Sequence, residues 1–163
     1  MKKLKFIAPL IAAFFLFSCK PSAKEALTYS DAVVHEQAAI QEKENNFITE
    51  ARDGDTVKMK AALDAFLLQI KTSTAIVSTM EQFDKNGAFK ADALKFFEVY
   101  KSIAENEYKQ ILGYYSGEYT EENAAKSTEL GDAAATKRQT AFEKFSTIQQ
   151  AFAKEYKFEI KEN

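Results

Sequence analysis

The sequence predicts an all-α domain, folded as an antiparallel up-down-up-down four-helix bundle, and three observations lead to this prediction. The only two prolines, Pro9 and Pro21, precede the part expected to fold, so no later residue interrupts a helix as proline does. Gly54, Gly87 and Gly117 divide the rest into segments of about thirty residues that are rich in good helix formers. Short connections between such segments place successive helices antiparallel.

Capping residues mark the ends of the predicted helices. Ser22 followed by Glu25 matches a capping box at the start of the first helix. Gly54 suits the end of that helix and Asp55 the N-cap of the second, while Thr120 precedes two glutamates that favour the positive end of the last helix. Together these residues predict helices near 22–52, 56–86, 90–116 and 120–158.

Side chains that face the core recur at alternating intervals of three and four residues, as in a helical bundle. The predicted inward positions are Tyr29, Val33, Gln37, Ile40, Glu44, Phe47 and Ala51 on the first helix; Met59, Leu63, Phe66, Ile70, Ser73, Val77 and Met80 on the second; Ala93, Phe97, Tyr100, Ala104, Glu107 and Ile111 on the third; and Ala134, Arg138, Ala141, Phe145, Phe152 and Tyr156 on the fourth. In the fourth helix, Gly131 predicts a bend, with Asp132 available to cap a restarted helix.

The N-terminus has the three parts of a secretory signal. Lys2, Lys3 and Lys5 give a basic start, residues 6–17 are uncharged and mostly apolar, and Leu-Phe-Ser-Cys ends the segment at Cys19. This tetrapeptide resembles the lipobox of bacterial lipoproteins, which implies cleavage before Cys19 and attachment of diacylglycerol and a further acyl chain such as palmitate. The alternative is a signal-anchor helix with an unmodified cysteine.

These features divide the chain into a lipoprotein signal peptide (1–18), a lipidated cysteine with a short linker (19–24) and a four-helix bundle domain (25–163). Lys20 after the cysteine, by resemblance to known lipoproteins, favours anchoring in the outer membrane, on either the periplasmic or the surface side. The formal net charge is 22 − 24 = −2, and removal of the three signal lysines makes it 19 − 24 = −5. An acidic domain of this kind argues against nucleic acid as a partner.

The sequence lacks the ligands that the candidate metal and cofactor sites require. His35 and Glu36 form half of a zinc-protease motif, but position 39 is Ala39 and His35 is the only histidine in the chain. The same count excludes a ferritin-like di-metal centre and a histidine-liganded haem. Residues 84–89 resemble a calcium loop, yet the position of its bidentate glutamate is Ala93. We therefore predict no metal, no cofactor and no catalytic residues.

One polar layer in the predicted core has two interpretations. Gln41, Glu44, Tyr100, Glu107 and Arg138 fall at similar heights on inward stripes when the helices are aligned at 1.5 Å per residue. The layer is either a buried salt-bridge layer that fixes helix register, or a pocket in which Arg138 binds the carboxylate or phosphate of a small ligand.

Residues 26–40, following the lipobox, resemble the first helix of uncharacterised four-helix lipoproteins of Gram-negative envelopes. The resemblance implies a location in the cell envelope and a fold, but no activity. The expected function is a non-enzymatic binding or interaction module, held to the membrane by its lipid and recognising an envelope protein. The alternative is a carrier that binds a small ligand at the mid-bundle polar layer.

Overall fold

A computed structural model describes residues 21–118 and 120–160, and this part of the chain is entirely helical, without a strand. Its elements are α1 (Ala23–Asp53), α2 (Thr56–Thr79), α3 (Ala88–Ile103), a π-helical segment (Ala104–Tyr108), α4 (Lys109–Ser116) and α5 (Glu121–Tyr156). Since α3, the π-helical segment and α4 follow one another without a gap, they form one third helix, and the described residues comprise four helices. The all-α prediction is therefore confirmed for this part, while the signal sequence and Cys19 lie outside the described residues.

The predicted capping residues occupy the helix ends. The backbone N–H of Glu25 donates to Ser22 Oγ at 3.3 Å and the backbone N–H of Ser22 donates to Glu25 Oε2 at 2.7 Å, which completes the capping box. Gly54 ends α1 at φ 74°, a left-handed conformation that glycine adopts at little cost. Asp55 caps α2 by accepting two backbone N–H groups, and Thr120 caps α5 by accepting one.

The second helix ends earlier than predicted, at Thr79 rather than near residue 86, and α3 begins at Ala88 rather than at 90. Lys90 Nζ donates to the carbonyl oxygens of Ser78 at 2.7 Å and Met80 at 2.6 Å. An ammonium group at this place satisfies carbonyls that a helix C-terminus leaves without partners, so α2 can stop there.

The segment between α2 and α3 folds over one end of the bundle because of Phe83. Its ring centroid lies 5.0 Å from that of Tyr29, 5.7 Å from Phe152 and 5.2 Å from Tyr156. The hydroxyl of Tyr29 also donates to the backbone oxygen of Glu81 at 2.9 Å. These contacts favour a turn over continuation of α2.

The core follows the predicted stripes closely. On α2 every predicted position from Met59 to Val77 is buried, and Met80 is half-buried. Buried side chains are mostly apolar, but seven are polar or charged: Ser30, Glu36, Gln37, Glu44, Ser73, Glu107 and Ser127. Within the described residues, no helix combines the length and apolarity that a membrane span requires.

Two features of the later helices depart from the prediction. The helix α5 continues without interruption through Gly131, so Asp132 does not begin a new helix. The third helix, expected to be regular over 90–116, contains the π-helical segment, in which one extra residue is accommodated in a turn. Three residues of this segment are buried: Ala104, Glu107 and Tyr108.

Candidate functional site

A buried carboxylate, Glu44 of α1, lies at the centre of the polar layer. Only 1% of its surface is exposed. The hydroxyl of Tyr108 donates to Glu44 Oε1 at 2.7 Å, and Arg138 Nη1 lies 3.5 Å from Glu44 Oε2. The Arg138 side chain is itself 34% exposed, so its guanidinium reaches the carboxylate from the edge of the core. The ion pair therefore joins α1 to α5, and the hydroxyl joins α1 to the third helix.

Burial has the largest effect on the pKa of the Glu44 carboxyl group. It raises the pKa of Glu44, because removal from water penalises the charged carboxylate, while Tyr108 and Arg138 act in the opposite direction. The pKa of the Tyr108 hydroxyl is also raised, by burial first and then by the negative charge of Glu44. The carboxylate is thus stabilised incompletely by its partners.

Gln41 and Tyr100 form a second contact within the layer. The side-chain amide of Gln41 donates to the Tyr100 hydroxyl at 3.3 Å. Burial raises the pKa of Tyr100 to about 12, against a smaller lowering by Gln41. The Tyr100 ring packs edge-on against Phe66, with centroids 6.4 Å apart, which places this contact between α1, α2 and α3.

Glu107 has a different partner from those expected in the sequence analysis. Its Oε1 accepts a hydrogen bond from Lys137 Nζ at 2.6 Å, and its Oε2 is buried without a hydrogen-bond partner among the described residues. The structure therefore brings Glu44 to Arg138 and Gln41 to Tyr100, whereas Glu107 pairs with Lys137. Sequence reasoning missed Tyr108 and Lys137. Tyr108 follows the inward Ala104 by four residues, so its spacing alone could have placed it on the same face.

A cavity of about 310 Å³ lies against this layer, between α1, the third helix and α5. Its apolar walls include Phe47, Ile48, Ala51 and Ile111. Tyr108 and Arg138, the two partners of Glu44, also line it. A volume of this size lies at the lower end of the range of small-molecule sites, which are mostly apolar with a few placed polar groups.

The polar lining of the cavity is unusual for this chain. Arg52 and Arg138 are its only two arginines among 22 basic residues, and both line the cavity. Ser127 also lines it, and the Ser127 hydroxyl is buried without a hydrogen-bond partner among the described residues. Gly131 forms part of the α5 wall, where an added Cβ would meet no atom within 4 Å. The cavity therefore offers cationic and hydroxyl groups beside an apolar surface.

The candidate metal residues take other roles. His35 is exposed on α1, while its neighbour Glu36 is buried and accepts a hydrogen bond from the Ser73 hydroxyl at 2.7 Å. Asp84, in the stretch that resembles a calcium loop, accepts the backbone N–H of Ala88 at 2.7 Å, as in a helix-initiating turn. Over residues 21–118 and 120–160, no three His, Cys, Asp or Glu side chains are grouped so that they could bind a metal ion.

Comparison of the chain with protein-family models, with curated proteins and with solved structures gave no match.

Proposed function

We propose that this chain is a lipid-anchored lipoprotein of the bacterial envelope whose helical domain binds another molecule without catalysing a reaction. The cavity beside the Glu44 layer is the observation that carries the binding role. Its walls combine apolar side chains from three helices with the two arginines of the chain. The one histidine, the most common general base at neutral pH, is on the exposed side of α1.

The anchor is proposed from the sequence of residues 1–19. The basic start, the apolar run and the lipobox-like tetrapeptide support cleavage before Cys19 and acylation of its thiol. Two or three acyl chains give stable attachment, where one gives only marginal binding. Lys20 supports the outer membrane as the destination, and the few residues between Cys19 and α1, which begins at Ala23, link the lipid to the helical domain.

The acylation test compares Cys19→Ser with the neighbouring substitution Ser18→Ala. The proposal expects radiolabelled palmitate to enter the wild type and Ser18→Ala, which keeps a small residue before the cysteine. It expects no label in Cys19→Ser, and an unprocessed chain. Label in Cys19→Ser at the wild-type level would exclude Cys19 as the acylated residue.

We also propose the antiparallel up-down-up-down arrangement of the bundle. Contacts across the helices support it. As α1 runs from Ser30 to Glu44, its partners on α5 run backwards, from Gln149 to Arg138. Its partners on the third helix run forwards, with Gln41 bonded to Tyr100 and Glu44 to Tyr108, as expected for the first and third helices of such a bundle.

A carrier role for the cavity can be tested directly. Protein extracted from membranes under mild conditions and examined by native mass spectrometry should show a second mass that disappears on denaturation. The variant Gly131→Leu, which directs a side chain into the cavity wall, should be isolated without that mass. Equal retention in the wild type and in Gly131→Leu would place the bound molecule elsewhere.

A protein of the envelope is the second candidate partner. Val57, Leu68 and Ile76 are exposed large apolar residues, all on α2. Leu68 follows Val57 by eleven residues, about three turns, so both lie on the same side of α2, where a second protein would cover them. Site-specific cross-linking from position 68 should give a discrete adduct in intact cells, and Ile76→Asp should abolish it; an adduct unaffected by that change would argue against this surface.

A further inference from the structure

The cavity beside the polar layer has the chemistry of a site for an apolar carboxylate, and this deepens the binding role proposed above, on which it rests. An apolar cavity of roughly 150 Å³ accepts benzene. The present cavity, at about 310 Å³, is about twice that size and has room for a bicyclic aromatic or an equivalent aliphatic body. Phe47, Ile48, Ala51 and Ile111 supply its apolar contacts.

Arg138 is placed to receive the carboxylate. Its guanidinium has five N–H donors in a planar fork that matches a carboxylate. Within the described residues its one ion pair is to Glu44, through a single nitrogen at 3.5 Å, which is longer than a good hydrogen bond. Arg138 is two-thirds buried and lines the cavity, so a charge-assisted hydrogen bond from it is only partly screened by water.

Arg52 adds a second positive charge to the same cavity. It follows Glu44 by eight residues on α1, or about 12 Å along the helix axis. The exposed Arg52 side chain forms no ion pair with a described carboxylate within 4.0 Å. The two guanidinium groups and the Glu44 carboxylate together leave a local charge of about +1 beside the cavity, which attracts anions.

Two features of α5 also indicate a ligand. The buried hydroxyl of Ser127 lacks a partner among the described residues, and an unsatisfied buried hydroxyl is costly. A ligand atom with hydrogen-bonding capacity would satisfy it. Gly131, four residues later on the same wall, costs helical stability relative to alanine yet leaves the cavity wider than any other residue would.

We propose that this cavity binds a small carboxylic acid with an apolar, bicyclic-sized body, its carboxylate on Arg138, with Arg52 attracting it at the rim. The lining is complementary to both parts of such a molecule. Charge selects the anion over its neutral analogue, and the space between the three helices accommodates the apolar part.

The test measures binding of 2-naphthoate to the full chain in phospholipid nanodiscs, with empty nanodiscs as the blank. Chain that is not acylated is measured in the same way in detergent-free buffer, so failure of the anchor proposal leaves this measurement intact. The chain has no tryptophan, so naphthoate fluorescence is measured without tryptophan emission from the protein. We expect saturable binding, and binding of the neutral 2-naphthamide weaker by about tenfold or more, the effect of one charge-assisted hydrogen bond.

Five variants locate the site. Gly131→Leu should abolish binding, whereas Gly113→Leu, at another helical glycine with no atom within 4 Å of its Cβ, should bind as the wild type does. Arg138→Met should weaken binding by about tenfold or more and Arg138→Lys should not restore it, whereas Arg52→Met should weaken it less. Circular dichroism confirms that each variant is folded. If Gly131→Leu is not, Gly131→Met takes its place, with Gly113→Met as its control.

Several results would overturn the inference. Absence of saturable 2-naphthoate binding, or equal affinity for 2-naphthamide, would exclude a carboxylate site. Wild-type affinity in folded Gly131→Leu would exclude this cavity, and wild-type affinity in Arg138→Met would exclude the assigned anion contact. Any of these results with palmitate-labelled Cys19 would leave the anchor proposal standing.

Discussion

Replacement of Arg138 by methionine tests the energetics of the polar layer. Methionine keeps an unbranched apolar arm of similar length and removes the guanidinium, so the change isolates the charge. Glu44 then remains buried, with 1% of its surface exposed and with the 2.7 Å hydrogen bond from Tyr108 as its main compensation. The variant should therefore be less stable than the wild type.

The expected loss lies between two limits. Breaking a fully buried ion pair costs about 3–5 kcal/mol, and an exposed pair contributes about 0–1 kcal/mol. Arg138 is 34% exposed and approaches Glu44 with one nitrogen at 3.5 Å, so solvent screens part of the attraction. We expect Arg138→Met to lower the free energy of unfolding by about 2 kcal/mol near neutral pH.

The loss should depend on pH, with a sign fixed by Glu44. The pKa of Glu44 in the folded protein is raised above its ordinary value of 4.5. At pH values between 4.5 and the folded pKa, the folded state therefore binds more protons than the unfolded state, and the free energy of unfolding falls as pH rises. Without Arg138 the folded pKa rises further. The difference in free energy of unfolding between Arg138→Met and the wild type should be largest at pH values above the folded pKa of Glu44. It should nearly vanish below pH 4.5, where Glu44 is protonated in both the folded and the unfolded state.

Urea unfolding followed by circular dichroism measures these differences. The double variant Glu44→Gln with Arg138→Met should recover most of the loss, because a neutral amide oxygen still accepts the Tyr108 hydrogen bond. Arg52→Met is the matched control, since its guanidinium has no described ion pair, and it should change stability by less than about 0.5 kcal/mol. Two results would refute this explanation: a urea midpoint of Arg138→Met equal to that of the wild type near neutral pH, or a loss of stability that persists unchanged below pH 4.5.

Three further predictions concern other parts of the fold. Because the pKa of Tyr100 is raised to about 12 from 10.0, stability should fall as pH rises through this interval, by up to about 3 kcal/mol, and Tyr100→Phe should make that decline shallower in urea melts. Gly131→Ala should stabilise the protein by up to about 1 kcal/mol. Gly87→Ala should destabilise it, because the backbone there has φ 61° and the added Cβ would lie 3.0 Å from Gln82. Thermal melts in which Gly87→Ala is the more stable variant would contradict the helix geometry. Asp55→Ala removes the cap of α2 and should cost about 1 kcal/mol, and an unchanged unfolding midpoint would show that the cap contributes nothing.

Most of the helical framework could be predicted because it depends on local chemistry. Capping side chains such as Ser22 and Asp55 act within one turn, and the alternation of three and four residues identifies the inward face of each helix. The same periodicity placed Glu44 and Arg138 on inward faces. Their 3.5 Å contact also needs the helices to be aligned as assumed, which the sequence supports only through loop length.

The earlier end of α2 and the pairing of Glu107 depend on contacts between separate segments of the chain. The end of α2 at Thr79 follows from Lys90, eleven residues later, and from the packing of Phe83 on α5. The pairing of Glu107 with Lys137 requires two helices to be in place before either side chain is matched. The cavity is a property of three helices together, although the presence of only two arginines in the chain was a compositional signal for its polar lining.

The π-helical segment Ala104–Tyr108 has a consequence for how the chain can change length. Such a segment accommodates one residue more than a regular helix while the flanking turns keep their rotational phase. Deletion of the exposed Asn106 should therefore convert the segment to a regular α-turn and leave Tyr100 and Ile111 facing inward. The same deletion within α3 would rotate every later residue of the third helix by about 100° and expose its apolar stripe. Tolerance of one-residue deletions in this helix is thus expected to be confined to a single turn.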